Sequence, residues 1–490
     1  MKKLILSFIV LTLGFFSSCT KDLEALNYSD INPSIFPQTE KDLQAMVMAC
    51  YYPLRGSWSN GLHTTSERGL LWMDVTTGIL RNSSNDQRLN FTKTSVTAVR
   101  IYDTFYNKIS LMTTTIDEIQ NSKVGSPEFK KKAIAEIRGL RGYLGYVLFD
   151  LYGPIVIAPL EVLKSPLEAK PLARLSHADM VKFIEDDLNA AAADLPAPKD
   201  AEYGRISKGL AKMMLVRLYL HEKNWAKVLS TANEIIAYNH YVLDNNYLDI
   251  FKIGGQKASK EVIWAVPADY QGTSENQWQL MALPANFPGI AGFGGTTSTW
   301  WFYDTFEPAD VRKTNLITEY TGTTGVKYDR SNIATYSFIR NGPLALKIDL
   351  DDKRTTSLST VDIVIYRYPD VLLSKAEAIA NISGPNAEAL ELLNVIRRRA
   401  KLGNLSLANV GTLPLFNAAV LMERQHEYWC ENGQLRADLI RMGEYQNRAI
   451  LVGGTAAIPF ATANKNVMPF SQVRVDEGKG LFIQNPGYDQ

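Results

Sequence analysis

The stretch 207–239, SKGLAKMMLVRLYLHEKNWAKVLSTANEIIAYN, decides the fold, because it reads as two helices joined by a tight turn. Leu215, Leu218 and Tyr219 recur at helical spacing before the Lys223-Asn224 turn, and Ala226, Leu229, Ala232 and Ile236 recur after it. The same spacing returns far downstream. Laying Leu215 on Ala376 places Trp225 on Asn386, Ala226 on Ala387, Leu229 on Leu390 and Asn233 on Asn394. Two hairpins with small residues at matched crossing points predict tetratricopeptide-like repeats, since small side chains let neighbouring helices approach closely. The expected class is mainly α, a scaffold of tetratricopeptide-like helical hairpins.

Further helices flank this one. Lys41 to Tyr51 carries Leu43, Met46, Val47 and Cys50 on one face, and Tyr102, Tyr106, Ile109, Met112, Ile116 and Ile119 recur at helical spacing. A helix from Glu128 carries Ile134, Ile137, Leu140, Leu144 and Leu148 until Gly153-Pro154 stops it. Ser176 caps the next, with Asp179 three residues on, and Leu195-Pro196 ends it. Gly, Ser and Asn density over Gly56–Asn90 predicts a long loop region instead. Tyr247–Ile365 is of another kind, with strand candidates at Glu261–Val266 and Val361–Tyr366 and a glycine-rich run at Gly289–Gly295. The organisation expected is a leader over 1–18 and one mature unit over 19–490. Within that unit a helical scaffold covers about 39–246 and 366–452, an inserted lobe of loops and short strands about 247–365, and a loop-rich segment 453–490.

The leader follows from Lys2 and Lys3, the apolar run Leu4–Phe16 and the small residues Ser17-Ser18 before Cys19, a pattern of export and too short to span a bilayer. Cys19 after small residues resembles the bacterial lipobox, with Phe16 where Leu is usual, and predicts lipidation there and a membrane anchor rather than a span. Losing Lys2 and Lys3 takes the formal net charge from +1 to −1, so no basic field points to nucleic acid. Cys50 and Cys430 remain, either as a disulfide or, better suited to their apolar helical contexts, as buried free thiols.

Several blocks carry a family likeness over essentially the whole mature chain. They include Ala135–Tyr143 ahead of Phe149-Asp150-Leu151-Tyr152-Gly153-Pro154, Gly204-Arg205-Ile206-Ser207-Lys208, Tyr366-Arg367-Tyr368-Pro369-Asp370-Val371-Leu372-Leu373, Asn394–Ala400, Asp438-Leu439-Ile440-Arg441 and Gln484-Asn485-Pro486-Gly487-Tyr488. In this order they resemble the SusD/RagB family of Bacteroidetes outer-membrane lipoproteins. Met468-Pro469-Phe470 and Glu431–Arg436 depart from the family pattern. The resemblance implies a binding protein and not an enzyme, lipid-anchored to the outer membrane and facing the cell exterior. It would capture oligosaccharides, or in some members peptides, for a SusC-like TonB-dependent barrel transporter. Lys21-Asp22 resembles the signal that sends such lipoproteins to the surface.

Sugar capture requires apolar platforms for the C–H faces of pyranose rings and planar polar groups for hydroxyls. Loops of the lobe supply Tyr270, Trp278, Phe287, Phe293, Trp300, Trp301 and Tyr303, and the early loop region supplies Trp58, Trp72, Arg81, Asn82 and Asn85. The ligand-binding set expected is Trp72, Arg81, Asn82, Tyr270, Trp278, Trp300 and Trp301, with one of the tandem tryptophans packed inward. Trp264, in a strand candidate, belongs to the core. Glu377, Arg397, Arg399, Glu423, Arg424, Asp438 and Arg441 read as salt bridges fastening hairpins rather than as catalysts. An all-α glycosidase would need a carboxylate pair such as Glu185 and Asp187. No cofactor or metal site is expected. His426–Cys430 lacks the second histidine of a zinc protease motif, and Asp349–Asp352 lacks the glycine and distal glutamate of a calcium loop.

Overall fold

The computed structural model describes residues 36–488 apart from 59, 67, 83, 85, 332–337 and 352–356, so the leader, Cys19, Asn85 and Asp352 lie outside the described residues. Helices dominate. They are α1 (Glu40–Tyr51), α2 (Val96–Asn121), α3 (Pro127–Tyr152), α4 (His177–Asp194), α5 (Lys208–His221) and α6 (Trp225–Ala237), then α7 (Tyr368–Ser383), α8 (Ala387–Arg399), α9 (Leu413–Tyr428), α10 (Leu435–Arg441) and α11 (Tyr445–Gly453). Six of these starts carry a side-chain cap. Thr39 and Asp42 form a capping box on α1, while the side chains of Ser126, Ser176, Ser207, Asn224 and Asn386 accept a backbone N–H at the starts of α3, α4, α5, α6 and α8.

Neighbouring helices pack as antiparallel hairpins, α2 with α3, α3 with α4, α5 with α6 and α7 with α8, and α7 also packs on α6. The two hairpins aligned from the sequence are α5–α6 and α7–α8, and they lie side by side. Close approach depends on small residues. Ala232 of α6 and Ala376, Ala378 and Ala380 of α7 are buried at the crossings. Gly139 and Gly142 of α3 are needed for the same reason. A Cβ on Gly142 would sit 2.8 Å from Leu188 Cδ2 of α4, and one on Gly139 2.3 Å from Ile206 Cδ1. No helix among the described residues is long and apolar enough to cross a membrane.

The short strands are β1 (Leu80–Asn82), β2 (Val262–Val266), β3 (Thr296–Ser298), β4 (Leu316–Ile317), β5 (Glu319–Thr321), β6 (Lys327–Asp329), β7 (Leu344–Ala345) and β8 (Ile363–Arg367), and they pair only in twos. Two of these pairings position everything else. β2 runs antiparallel to β8, with Val262 opposite Arg367 and Val266 opposite Ile363, so the chain between them leaves the helical body and returns at one joint. β1 runs antiparallel to β3, with Leu80 opposite Ser298, Arg81 opposite Thr297 and Asn82 opposite Thr296, which fastens the early loop region to the middle of that excursion. Residue spacing shows strand candidates but not their partners, which lie about a hundred or more positions away, so neither pairing was legible beforehand.

Under the early loops, His63 is buried against Tyr143, whose hydroxyl lies 3.1 Å from His63 Nε2, and against the edge of Trp264. Burial pushes the His63 pKa down to about 3, from 6.5 in the open chain. The imidazole is therefore neutral in the fold and takes up a proton on unfolding. Between pH 6.5 and about 3 the unfolded chain binds more protons, so stability is full above pH 6.5 and falls as the pH drops. The slope from this group is at most about 1.4 kcal/mol per pH unit. Urea unfolding between neutral and mildly acidic pH is expected to show this decline, and His63→Gln to flatten it. Equal slopes in the two proteins would refute the assignment.

Candidate functional site

Two loops stitched by their backbones build the most accessible aromatic surface of the early loop region. Glu275 N–H donates to Gly56 O at 2.8 Å, Gly56 N–H to Ser274 Oγ at 3.2 Å, and Gln277 N–H to Thr65 Oγ1 at 2.8 Å. The chain at Gly56 passes so close that a Cβ there would lie 2.3 Å from Glu275 O. The Glu275 carboxylate then accepts from Trp58 N–H at 2.8 Å and from Gln277 Nε2 at 3.0 Å, which fixes the half-buried Trp58 beside a planar amide.

Phe293 is presented by the glycine-rich run. Its N–H donates to Leu280 O and the next N–H to Leu283 O, both at 2.7 Å. Any residue but glycine at 292 would drive a Cβ to 2.0 Å from Leu283 O, and Gly294 sits at φ +62° in the left-handed region. The backbone is thus pinned while the side chain remains 62% exposed. Trp58 and Phe293 meet with ring centroids 6.3 Å apart and planes at 67°, making two walls of an open angle rather than one flat floor. The Arg68 guanidinium lies 5.6 Å from the Trp58 ring centroid. Exposed apolar rings beside an amide and a guanidinium can receive the C–H face and the hydroxyls of a sugar.

The residues expected from sequence distribute differently. Trp72 is 1% exposed and donates its Nε1–H to Asp86 Oδ2 at 2.7 Å. Trp278 is 2% exposed and donates to Ala345 O at 2.7 Å. Neither offers a ring face to solvent, and this corrects their reading as platforms. A tryptophan in a loop becomes core when the loop is covered and its N–H finds an acceptor. Asn82 is buried too, donating to the same Asp86 carboxylate at 3.1 Å. Tyr270 is half-buried with its hydroxyl on both oxygens of the buried Asp351, at 2.9 and 2.8 Å. Arg81 stands in β1, partly exposed.

Trp300 and Trp301 begin a short helical turn, Trp300–Asp304, rather than an extended segment, and both are half-buried. Each has a guanidinium over its ring. Arg330, paired with Asp304, lies 4.5 Å from the Trp300 centroid, and Arg448 lies 4.1 Å from that of Trp301. Trp58 and Phe293, named only among the broader aromatic candidates, are the pair the fold brings together. Arg68, Glu275 and Gln277 were not foreseen, since nothing in their spacing marks loops that meet across two hundred positions.

The charged residues set aside as fasteners are buried ion pairs. Arg367 donates to Glu261 and Glu427, each at 2.6 Å, and to Glu431 at 2.7 and 2.8 Å. Arg399 also reaches Glu261 and Glu427, and Arg312 joins Glu423 at 2.6 Å and Glu427 at 3.1 Å. The Lys347 ammonium donates to Glu431 and to the carbonyls of Glu427 and Trp429. A second cluster joins Arg217, Arg424 and Arg441 to Asp370, Asp438 and Glu377. Glu185 and Asp187 do not form a pair across a cleft. Glu185 takes Tyr219 Oη and Lys227, while Asp187 takes Arg141 through two bonds of 2.7 and 2.8 Å. His426 stacks on Phe306 with centroids 4.0 Å apart, and no group of three or more metal-ligating side chains exists among the described residues. Cys50 and Cys430 are buried and unpaired.

Comparison with known proteins agrees with this architecture. The sequence model of the SusD family matches residues 314–488. SusD-like protein P25 of Formosa agariphila is 25% identical over 503 aligned residues, covering 92% of each chain. Starch-binding protein SusD of Bacteroides thetaiotaomicron is 24% identical over 422, covering 72% of each. Among solved structures, a SusD superfamily protein from Bacteroides vulgatus superposes with a TM-score of 0.76 at 20% identity, over 92% of this chain and all of that one. The paired helical hairpins, the excursion closed by β2 and β8, and these alignments together support a SusD/RagB family protein.

Proposed function

We propose that this chain is a cell-surface lipoprotein of the outer membrane that binds an oligosaccharide without cleaving it and passes it to a SusC-like TonB-dependent barrel. The observation that carries the reading is the open aromatic angle of Trp58 and Phe293, held by loop-to-loop hydrogen bonds beside Gln277 and Arg68. It is supported by likeness to a protein named for starch binding. The carboxylate pair named for a glycosidase is engaged elsewhere, Asp187 by Arg141 and Glu185 by Tyr219 and Lys227. Trp300, Trp301, Arg81 and Tyr270 remain candidates for the outer reach of the same surface, and Cys19 for the lipid attachment.

A barrel partner is consistent with a second surface. α9 exposes Leu415 and Met422, seven residues apart and so on one face, and Leu451 of α11 and Ile458 beyond it are exposed as well. Calorimetry of the mature chain against a broad panel of oligosaccharides is expected to find binding, with no release of reducing sugar. Binding of peptides alone would move the reading to the peptide branch of the family. Reducing-sugar release would overturn it. In cells, Cys19→Ser is expected to abolish surface display, and unchanged display would remove the anchor from the proposal.

A further inference from the structure

The loop that presents Phe293 carries a second ring at its other end, Phe287. Phe287 N–H and Gly292 N–H donate to the same oxygen, that of Pro284, at 3.0 and 3.3 Å, so the loop closes on one carbonyl and its two aromatic ends spring from neighbouring points. Phe287 does not stand alone. Its ring centroid lies 5.6 Å from that of Tyr320, which stacks in turn on Tyr328 with centroids 5.0 Å apart and planes at 18°. Tyr320 and Tyr328 face each other across the short antiparallel strands β5 and β6.

Burial and hydrogen bonding divide this trio into a support and two outer rings. Tyr320 is buried, and its hydroxyl donates to Asn286 Oδ1 at 2.9 Å while Thr323 N–H donates to Asn286 O at 3.0 Å, so the residue beside Phe287 is held by side chain and backbone alike. Phe287 and Tyr328 stay half-buried. Among the described residues neither Asn286 Nδ2 nor the Tyr328 hydroxyl has a hydrogen-bond partner, and both atoms are open to solvent. Packing of the hairpin accounts for the ring and hydroxyl of Tyr320. It leaves over two half-open rings beside a free amide donor and a free phenol, the same combination of apolar face and planar polar group that Trp58 and Gln277 make.

Building on the oligosaccharide reading above, we infer that Phe287, Tyr328 and Asn286 form a second sugar-binding platform, and that the cargo is a chain long enough to rest on it and on the Trp58–Phe293 angle at once. Contact at one platform raises the effective concentration of the same chain at the other, so affinity climbs with chain length. The ligand class is thereby narrowed to longer oligosaccharides, with disaccharides as poor cargo.

Calorimetry of the full mature chain tests this, with each glycan of a broad neutral and acidic panel supplied as a ladder from disaccharide to octasaccharide. The octasaccharide of a recognised glycan is expected to bind about ten-fold or more tightly than its disaccharide, and Phe287→Ala to remove most of that gain while disaccharide binding changes far less. A second measurement needs no variant. Nitration of the unaltered protein, read by mass spectrometry, is expected to modify Tyr328 when the protein is free and to spare it when the octasaccharide is bound. Equal affinity along the ladder, a length gain that Phe287→Ala leaves intact, or Tyr328 nitrated equally with and without the octasaccharide would overturn the second platform while the oligosaccharide reading stands. Failure to bind any glycan at any length would bring down that underlying reading instead.

Discussion

Glu427→Gln is expected to destabilise the protein by about 3–5 kcal/mol, the scale on which breaking a buried charge pair acts. The side chain is fully buried, with Arg367 and Arg399 on one carboxylate oxygen and Arg312 on the other. Burial alone would raise the Glu427 pKa, but the guanidiniums of Arg399, Arg367 and Arg312 outweigh it and hold the carboxyl well below the usual carboxylate range. Removing its charge takes from Arg312, Arg367 and Arg399 the carboxylate they share and leaves them, with Lys347, to Glu261, Glu423, Glu431 and Asp310 in a buried site. The loss is a large share of the roughly 5–15 kcal/mol that holds a typical domain together.

Urea unfolding checks this, with Glu391→Gln as the control. That carboxylate pairs with Arg398 on an exposed helix face, so its loss is expected to cost less than about 1 kcal/mol. Comparable losses in the two variants would contradict a structural role for the buried network. The sign with pH follows from the depressed pKa. The contribution of Glu427 is complete above the ordinary carboxylate range and disappears as the pH falls through its folded value, well below the region where His63 acts.

Trp58→Ala is expected to weaken oligosaccharide binding by on the order of 2 kcal/mol or more, roughly thirty-fold in Kd, as loss of an aromatic hot spot does. The ring is only half-buried, so truncation removes less packing than at a core tryptophan and is expected to cost less stability than Trp278→Ala. Trp278→Ala supplies the contrast. Its indole lies in the core and caps the Ala345 carbonyl, so truncation is expected to cost about 3–5 kcal/mol of stability and to alter affinity only where the protein starts to unfold. Calorimetry paired with unfolding curves separates the two. If Trp58→Ala bound its glycan normally while Trp278→Ala, still folded, did not, the site would have to be moved.

The helical hairpins could be read from sequence because their signals are local. Capping serines and asparagines, a period near four and a glycine-proline stop each act within one turn, and they set the boundaries of α3 to α6 closely. The site resisted because its parts are not local. Trp58 and Trp72 occupy the same polar loop region, and Trp278 and Phe293 the same lobe, yet one of each pair is core and the other surface. What separates them is whether Asp86 or the Ala345 carbonyl is there to accept an indole N–H, and whether glycine lets the backbone at 292 settle against Leu283. None of those partners can be inferred from neighbours in the chain. The charged residues were easier, since opposite signs at helical spacing already favour pairing, although the sequence did not show that arginine from β8 would meet glutamate from α9.

The joint between β2 and β8 has an evolutionary corollary. Nearly a hundred residues depart and rejoin the body at this joint, and Arg312 and Lys347 within them reach Glu423, Glu427 and Glu431, so insertions or deletions leave the stacking of the hairpins undisturbed only away from those anchors. Length changes are therefore expected in the exposed turns of the excursion and not at its anchors on the helices.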